Sequence, residues 1–131
     1  MQFPLILAVL LVVIAVVNGF ANANHWYWTM RWFDMPMHFA GGAWLAGFGV
    51  WWQYFRHGVV APGFPQILGV CLVFALSVGL LWEAYEAVVS FLTVGRMNSM
   101  QDILRDILFD ILGSITVAGL VWWQAKLKTH K

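Results

Sequence analysis

Charge is scarce in this sequence: of 131 residues only 10% are Asp, Glu, Lys or Arg, where a soluble domain carries about 25%. So little charge excludes an ordinary water-soluble domain. Neither sign dominates, because seven Lys and Arg against six Asp and Glu leave a net charge of +1. Without a basic stripe to follow a phosphate backbone, a nucleic-acid partner is excluded too. Cysteine is nearly absent. Cys71 stands alone inside an apolar run, which rules out an intramolecular disulfide and a cysteine-based zinc site. What is abundant is apolar surface, with 62% hydrophobic and 17% aromatic residues.

A helix crossing a bilayer needs about 20 mostly apolar residues, since roughly 30 Å of hydrocarbon is covered at about 1.5 Å per residue. Four stretches meet that requirement: about residues 4–20, 36–55, 66–93 and 99–124. The expectation is an all-α fold, a four-transmembrane-helix bundle making one integral membrane domain over residues 1–131. The first stretch also reads as a secretory signal ending at the small-x-small site Ala21-Asn22-Ala23. Met1-Gln2-Phe3 lacks the usual Lys or Arg, so a retained helix is expected. Breaks fall at Asn22-Ala23-Asn24, from Gly58 through Pro62-Gly63-Phe64-Pro65, and at Gly95-Arg96-Met97-Asn98.

An even number of spans brings both termini to one side. That side holds Arg56, Lys126, Lys128 and Lys131, against Arg31, Arg96 and Arg105 on the other, so the positive-inside rule predicts cytoplasmic termini; the membrane itself is expected to be a bacterial inner (plasma) membrane. Tryptophans mark both interfaces: Trp51, Trp52 and Tyr54 with Trp122 and Trp123 at one face, and Trp26, Tyr27, Trp28 and Trp32 at the other. The second group forms a short interfacial aromatic segment between the first two spans. Anchoring accounts for these rings better than a pigment or cofactor box.

This threading carries all six acidic residues to the non-cytoplasmic half. Asp34 and His38 are four apart, Glu83 and Glu86 three apart, and Asp102, Asp106 and Asp110 follow at steps of four. Each set therefore lies on one helix face. The second span continues its stripe as Gly42, Ala46, Gly49 and Gln53, and the fourth carries Gly113 below Asp110; such small residues let helices approach closely. A carboxylate near a helix centre costs on the order of 3 kcal/mol. Arg31, Arg96, Arg105 and His38 leave a shortfall of positive charge, which protonated carboxyls or one or two divalent cations would close.

Oxygen ligands with one imidazole suit Mg²⁺, Mn²⁺ or Ca²⁺ better than Zn²⁺ or Fe²⁺. The candidate ligands are His38, Glu83, Glu86, Asp106 and Asp110, with Asp34 and Asp102 in addition. Bland readings stand beside these. Asp34 fits an N-cap, Ser99 with Asp102 fits a capping box, and Glu83 and Glu86 fit salt bridges to Arg96 or Arg105. Capping does not reach Asp106 and Asp110. His57 and His130 read as solvated, and His38 lies about 28 Å from His57, so no haem is expected.

The run Asp34-Met35-Pro36-Met37-His38-Phe39, then Glu83, Gly95-Arg96, and Asp106-Ile107-Leu108-Phe109-Asp110-Ile111-Leu112-Gly113 resembles the VanZ-like family of small membrane proteins and the related YjdF-like proteins, over roughly residues 34–119. VanZ-like members commonly have Gln where Glu86 stands and Asn where Asp110 stands, so this chain is nearer the YjdF-like pattern. The resemblance implies a cell-envelope role and supports the fold and site positions; it carries over no chemistry.

The leading expectation is an outer-leaflet site for a divalent cation and a lipid or lipid-linked head group. An enzyme here would be a metal-assisted hydrolase or transferase, with Glu83 or Glu86 as general base and Arg96 steadying an anionic group. The second class is an accessory subunit of a larger membrane complex, with a membrane-protein partner or a homo-oligomer. The third is a proton or cation relay, for which the inner halves of the spans offer only Gln53, Ser77 and Thr116.

Overall fold

The computed structural model describes residues 2–30, 32–58, 63–95 and 99–129. Arg31 and Arg96, both named above as cations of the acidic half, lie outside the described residues, as do Pro62, Met97, Asn98, His130 and Lys131. The chain is helical, in the order α1 (Phe3–Ala23), α2 (Trp26–Thr29), α3 (Asp34–Gln53), α4 (Phe64–Val94) and α5 (Met100–Thr129), with a 3-10 turn at Phe55–His57. No strand occurs among the described residues.

Local chemistry explains where the helices begin and end. Pro4 and Pro65 stand in the first turns of α1 and α4, where a missing N–H costs nothing and φ is already helical. Gly58 closes the 3-10 turn after α3 and Gly95 closes α4, at φ 66° and 71°, a left-handed geometry that glycine adopts without strain. His25 turns the chain between α1 and α2 at φ 56°. At the start of α5 the Ser99 hydroxyl accepts from the Asp102 backbone N–H (3.2 Å) and donates to the Asp102 carboxylate (2.6 Å). The Ser99 half of the expected capping box is thus formed, while the Asp102 carboxylate pairs with the Ser99 hydroxyl.

Asp34 is different. It lies inside the first turn of α3, and Phe33 occupies the cap position with no side-chain hydrogen bond. The N-cap reading of Asp34 is corrected accordingly: its carboxylate turns to the imidazole one helical turn on.

Two helices, Phe3–Ala23 and Phe64–Thr93, are long and apolar enough to cross a membrane. The other two long helices are more polar, with Asp34 and His38 on α3 and Asp102, Arg105, Asp106 and Asp110 on α5, while α4 carries Glu83 and Glu86 in its C-terminal part. α3 is central, packing on α5, α4 and α1. The helices run antiparallel in sequence order: Phe3 meets Phe55 edge-on at 5.1 Å and Phe64 meets Trp122 at 5.6 Å. One end therefore gathers the starts of α1 and α4 with the ends of α3 and α5. At that end Arg56 lies over the Trp52 ring at 4.1 Å and Lys126 over Trp122 at 4.0 Å.

α3 and α5 cross at glycine. A Cβ on Gly42 would stand 2.6 Å from the Asp110 Cα, and one on Gly113 would stand 2.7 Å from the Ala43 nitrogen and overlap the Phe39 carbonyl. Real carbon atoms do not approach so closely, so each glycine makes room for the partner's backbone. Beyond the crossing, Ala46, Val50, Ile67, Cys71, Ala118 and Val121 form a wholly apolar core.

Candidate metal centre

The acidic residues that the sequence distributes over three helices converge on one histidine. His38 is 7% exposed, Glu83 4%, Asp106 5% and Asp110 3%, so the four groups are sealed from the surface. His38 Nε2 lies 3.6 Å from Glu83 Oε1 and 3.7 Å from Asp34 Oδ1, while Nδ1 lies 3.5 Å from Asp110 Oδ2. One imidazole is thus flanked by α3, α4 and α5 at once. Periodicity explains the convergence: each residue sits on the stripe that its helix turns inward, above the glycine crossing that draws α3 and α5 together.

Glu83 is the least satisfied member. Both of its carboxylate oxygens are buried without a hydrogen-bond partner, and an unpaired buried carboxylate is far more expensive than an unpaired neutral group. Two sets of ligand atoms lie close enough to hold a metal ion: Asp34, His38 and Asp106, and His38, Glu83 and Glu86, each set within 4.8 Å. Four carboxylates from three helices therefore share a single histidine. Asp110 belongs to neither set. It faces the other ring nitrogen, so of the five ligands expected from the sequence, four lie in metal-compatible groups and Asp110 stands behind the histidine.

The remaining candidates are placed elsewhere. Asp102 is exposed and bound to Arg105 at 2.8 Å, so neither reaches the cluster, and Arg105 does not bridge to Glu83 or Glu86. Glu86 is half-buried at the rim, where Trp82 Nε1 donates to its Oε1 at 2.9 Å. Arg96, expected to steady an anion, falls outside the described residues. Gln53, Ser77 and Thr116, the polar steps proposed for a relay, are all exposed. Between the cluster and the far end the described interior consists of the glycine crossing, the buried Ser114, whose hydroxyl donates to the Asp110 carbonyl at 2.9 Å, and the apolar core.

One residue at the site, Gly79, is not marked by the sequence, and another, Tyr27, is marked there only as an anchor. Gly79 lies one turn before Glu83 on the same face of α4, and a Cβ there would overlap Asp110 Oδ2. Its spacing of four from Glu83 was a usable signal; the identity of the group it accommodates was not. Tyr27, read as an interfacial anchor, donates to Asn18 Oδ1 at 2.6 Å. Burial, together with the nearby Asp34 and Glu86 carboxylates, pushes its hydroxyl up to about 12. The aromatic segment is therefore the neighbour of the acidic site as well as a belt, with Trp26 and Tyr27 both edge-on to the buried Phe33 at 5.3 Å.

No curated protein and no solved structure matches this chain. The family comparison matches almost its whole length: residues 1–127 fit the model of DUF2238, described as predicted membrane proteins. With two apolar helices of spanning length and a polar cluster enclosed by its helices, the chain belongs to this membrane-protein family.

Proposed function

We propose that this protein is a four-span integral membrane protein whose buried acidic and histidine cluster binds a divalent cation and, with it, a lipid or lipid-linked head group. The observation that carries the reading is Glu83, whose two buried oxygens have no hydrogen-bond partner and whose Oε1 lies 3.6 Å from His38 Nε2. A cation would supply what those oxygens lack and would relieve repulsion among the surrounding carboxylates. The half-buried Glu86 and the aromatic segment at the rim support access by a ligand from the lipid headgroup region. Kinship with VanZ-like and YjdF-like proteins, and the cell-envelope role it implies, belong to this proposal. The enclosed apolar interior below the cluster argues against a relay through the bundle.

Metal analysis of the purified full chain, with melting temperatures in detergent with and without chelator, tests the reading. Binding at a hundredfold excess over Kd adds about 2.7 kcal/mol, so chelation should lower the melting temperature of the wild type and leave Glu83→Gln unchanged. A wild type that holds no metal and ignores both chelator and added cation would overturn it. In the same proposal the termini are cytoplasmic and the membrane is a bacterial inner membrane. Impermeant labelling of single cysteines at positions 58 and 97 of the Cys71→Ala chain should then react from opposite sides; reaction from one side would break the four-span arrangement.

A further inference from the structure

We infer that Asp110 is a positioning residue and not a metal ligand: it fixes the His38 ring so that Nε2 binds the ion, and the site consequently takes a nitrogen-accepting first-row ion such as Mn²⁺ in preference to Mg²⁺ or Ca²⁺. This rests on the cation reading above and narrows it. Two nitrogens of one ring have different neighbours. Nδ1 faces Asp110 Oδ2 at 3.5 Å, and Nε2 faces Glu83 Oε1 and Asp34 Oδ1 at 3.6 and 3.7 Å. Of these three contacts the one to Asp110 has hydrogen-bond geometry, and with Asp110 as the acceptor Nδ1 carries the proton and the Nε2 lone pair is left for an ion held between the ring and the other two carboxylates. That is the arrangement in which a carboxylate orients a metal-binding histidine.

The position of Asp110 is set sterically. Its backbone fills the space left by the missing side chain of Gly42, and its carboxylate fills the space left by Gly79. An alanine at either position would collide with it. Glu83 is 4% exposed and its two buried oxygens have no hydrogen-bond partner, which is the independent sign that a ligand belongs on the Nε2 side. Carboxylates alone suit Mg²⁺ and Ca²⁺, but an obligatory imidazole ligand shifts preference toward first-row transition ions. Mn²⁺ accepts both donor types.

Titration of the full chain in detergent with Mn²⁺ alone, followed by electron paramagnetic resonance, tests the assignment. Wild type should bind Mn²⁺, resist displacement by equimolar Mg²⁺, and show coupling to an imidazole nitrogen that His38→Gln abolishes. Asp110→Asn should weaken Mn²⁺ binding about 10- to 100-fold, the usual effect of losing an orienting partner, and should alter the nitrogen coupling in the bound fraction because the ring is no longer held. Gly79→Ala should do the same without touching a titratable group, which covers the case in which Asp110→Asn fails to fold. Mn²⁺ bound without nitrogen coupling, or variants with wild-type affinity and coupling, would overturn this inference and leave the cation site standing. Failure of the wild type to bind Mn²⁺ or any other divalent ion would remove both.

Discussion

The two ends of the bundle are built from the same three helices by opposite means. At one end α3, α4 and α5 meet through Ala46, Val50, Ile67, Cys71, Ala118 and Val121, with no polar side chain in the cluster. At the other end the same helices contribute His38, Glu83, Asp106 and Asp110, all buried. The apolar end shows that close packing of small and aliphatic residues is enough to join these helices. Carboxylates at the other end make association harder, since each carries a desolvation cost that good geometry only partly offsets. The contrast teaches that packing of aliphatic and small residues accounts for the apolar end and does not by itself account for the polar end.

Removing the shared imidazole should have the largest effect. Among the described residues, His38 is the basic group paired with Asp34, Glu83 and Asp110. His38→Leu leaves the buried Glu83 and Asp110 and the half-buried Asp34 without it, and breaking a buried pair by deleting one partner costs about 3–5 kcal/mol. Thermal unfolding in detergent should show a large fall in melting temperature and no response to added cation. A His38→Leu protein as stable as the wild type would erase the contrast between the two ends.

The crossing between the ends comes next. Gly42→Ala places a Cβ 2.6 Å from the Asp110 Cα, and since backbone cannot rotate aside, α3 and α5 must separate. Overpacking of this kind costs about 1–3 kcal/mol. The melting temperature should fall by less than for His38→Leu, and the cation response should weaken because Asp110 moves with its backbone. Alanine at Gly41, one residue away with open space around it, is the matched control and should change neither measurement. Equal effects at both positions would mean that helix propensity, and not the crossing, sets the result.

Much of this was legible before any coordinates. Glycine and proline mark the helix ends, so expected limits of about 4–20, 36–55 and 66–93 fall within two or three residues of α1, α3 and α4. The fourth helix continues to Thr129 instead of residue 124. Polar stripes gave the faces of Asp34, His38, Glu83, Asp106 and Asp110, and the small residues Gly42 and Gly113 gave the crossing. A period of 3.6 residues says which side a group faces and not what it meets there. Hence Asp102 shared a stripe with Asp106 yet lies exposed on Arg105, the two nitrogens of His38 could not be apportioned, and Gly79 had no visible purpose until Asp110 was placed opposite it.

The smallest effect is expected at Cys71, and its smallness is the informative result. The thiol sits at 0% exposure in the apolar core, with Sγ 3.9 Å from the Ala46 carbonyl oxygen, between helices that meet there without polar groups. A polar thiol reagent can reach it only if α3 and α4 part, so labelling of the folded wild type in mild detergent should be negligible and should become complete on denaturation. The comparison sharpens when the reagent is applied to Glu83→Gln and to His38→Leu. If the two ends are independent, disturbing the polar end leaves Cys71 protected as long as the helices remain folded, and labelling follows global unfolding alone. Cys71 that becomes reactive well below the melting temperature of either variant would show that the polar cluster clamps the whole bundle, and that the apolar end does not hold by packing alone.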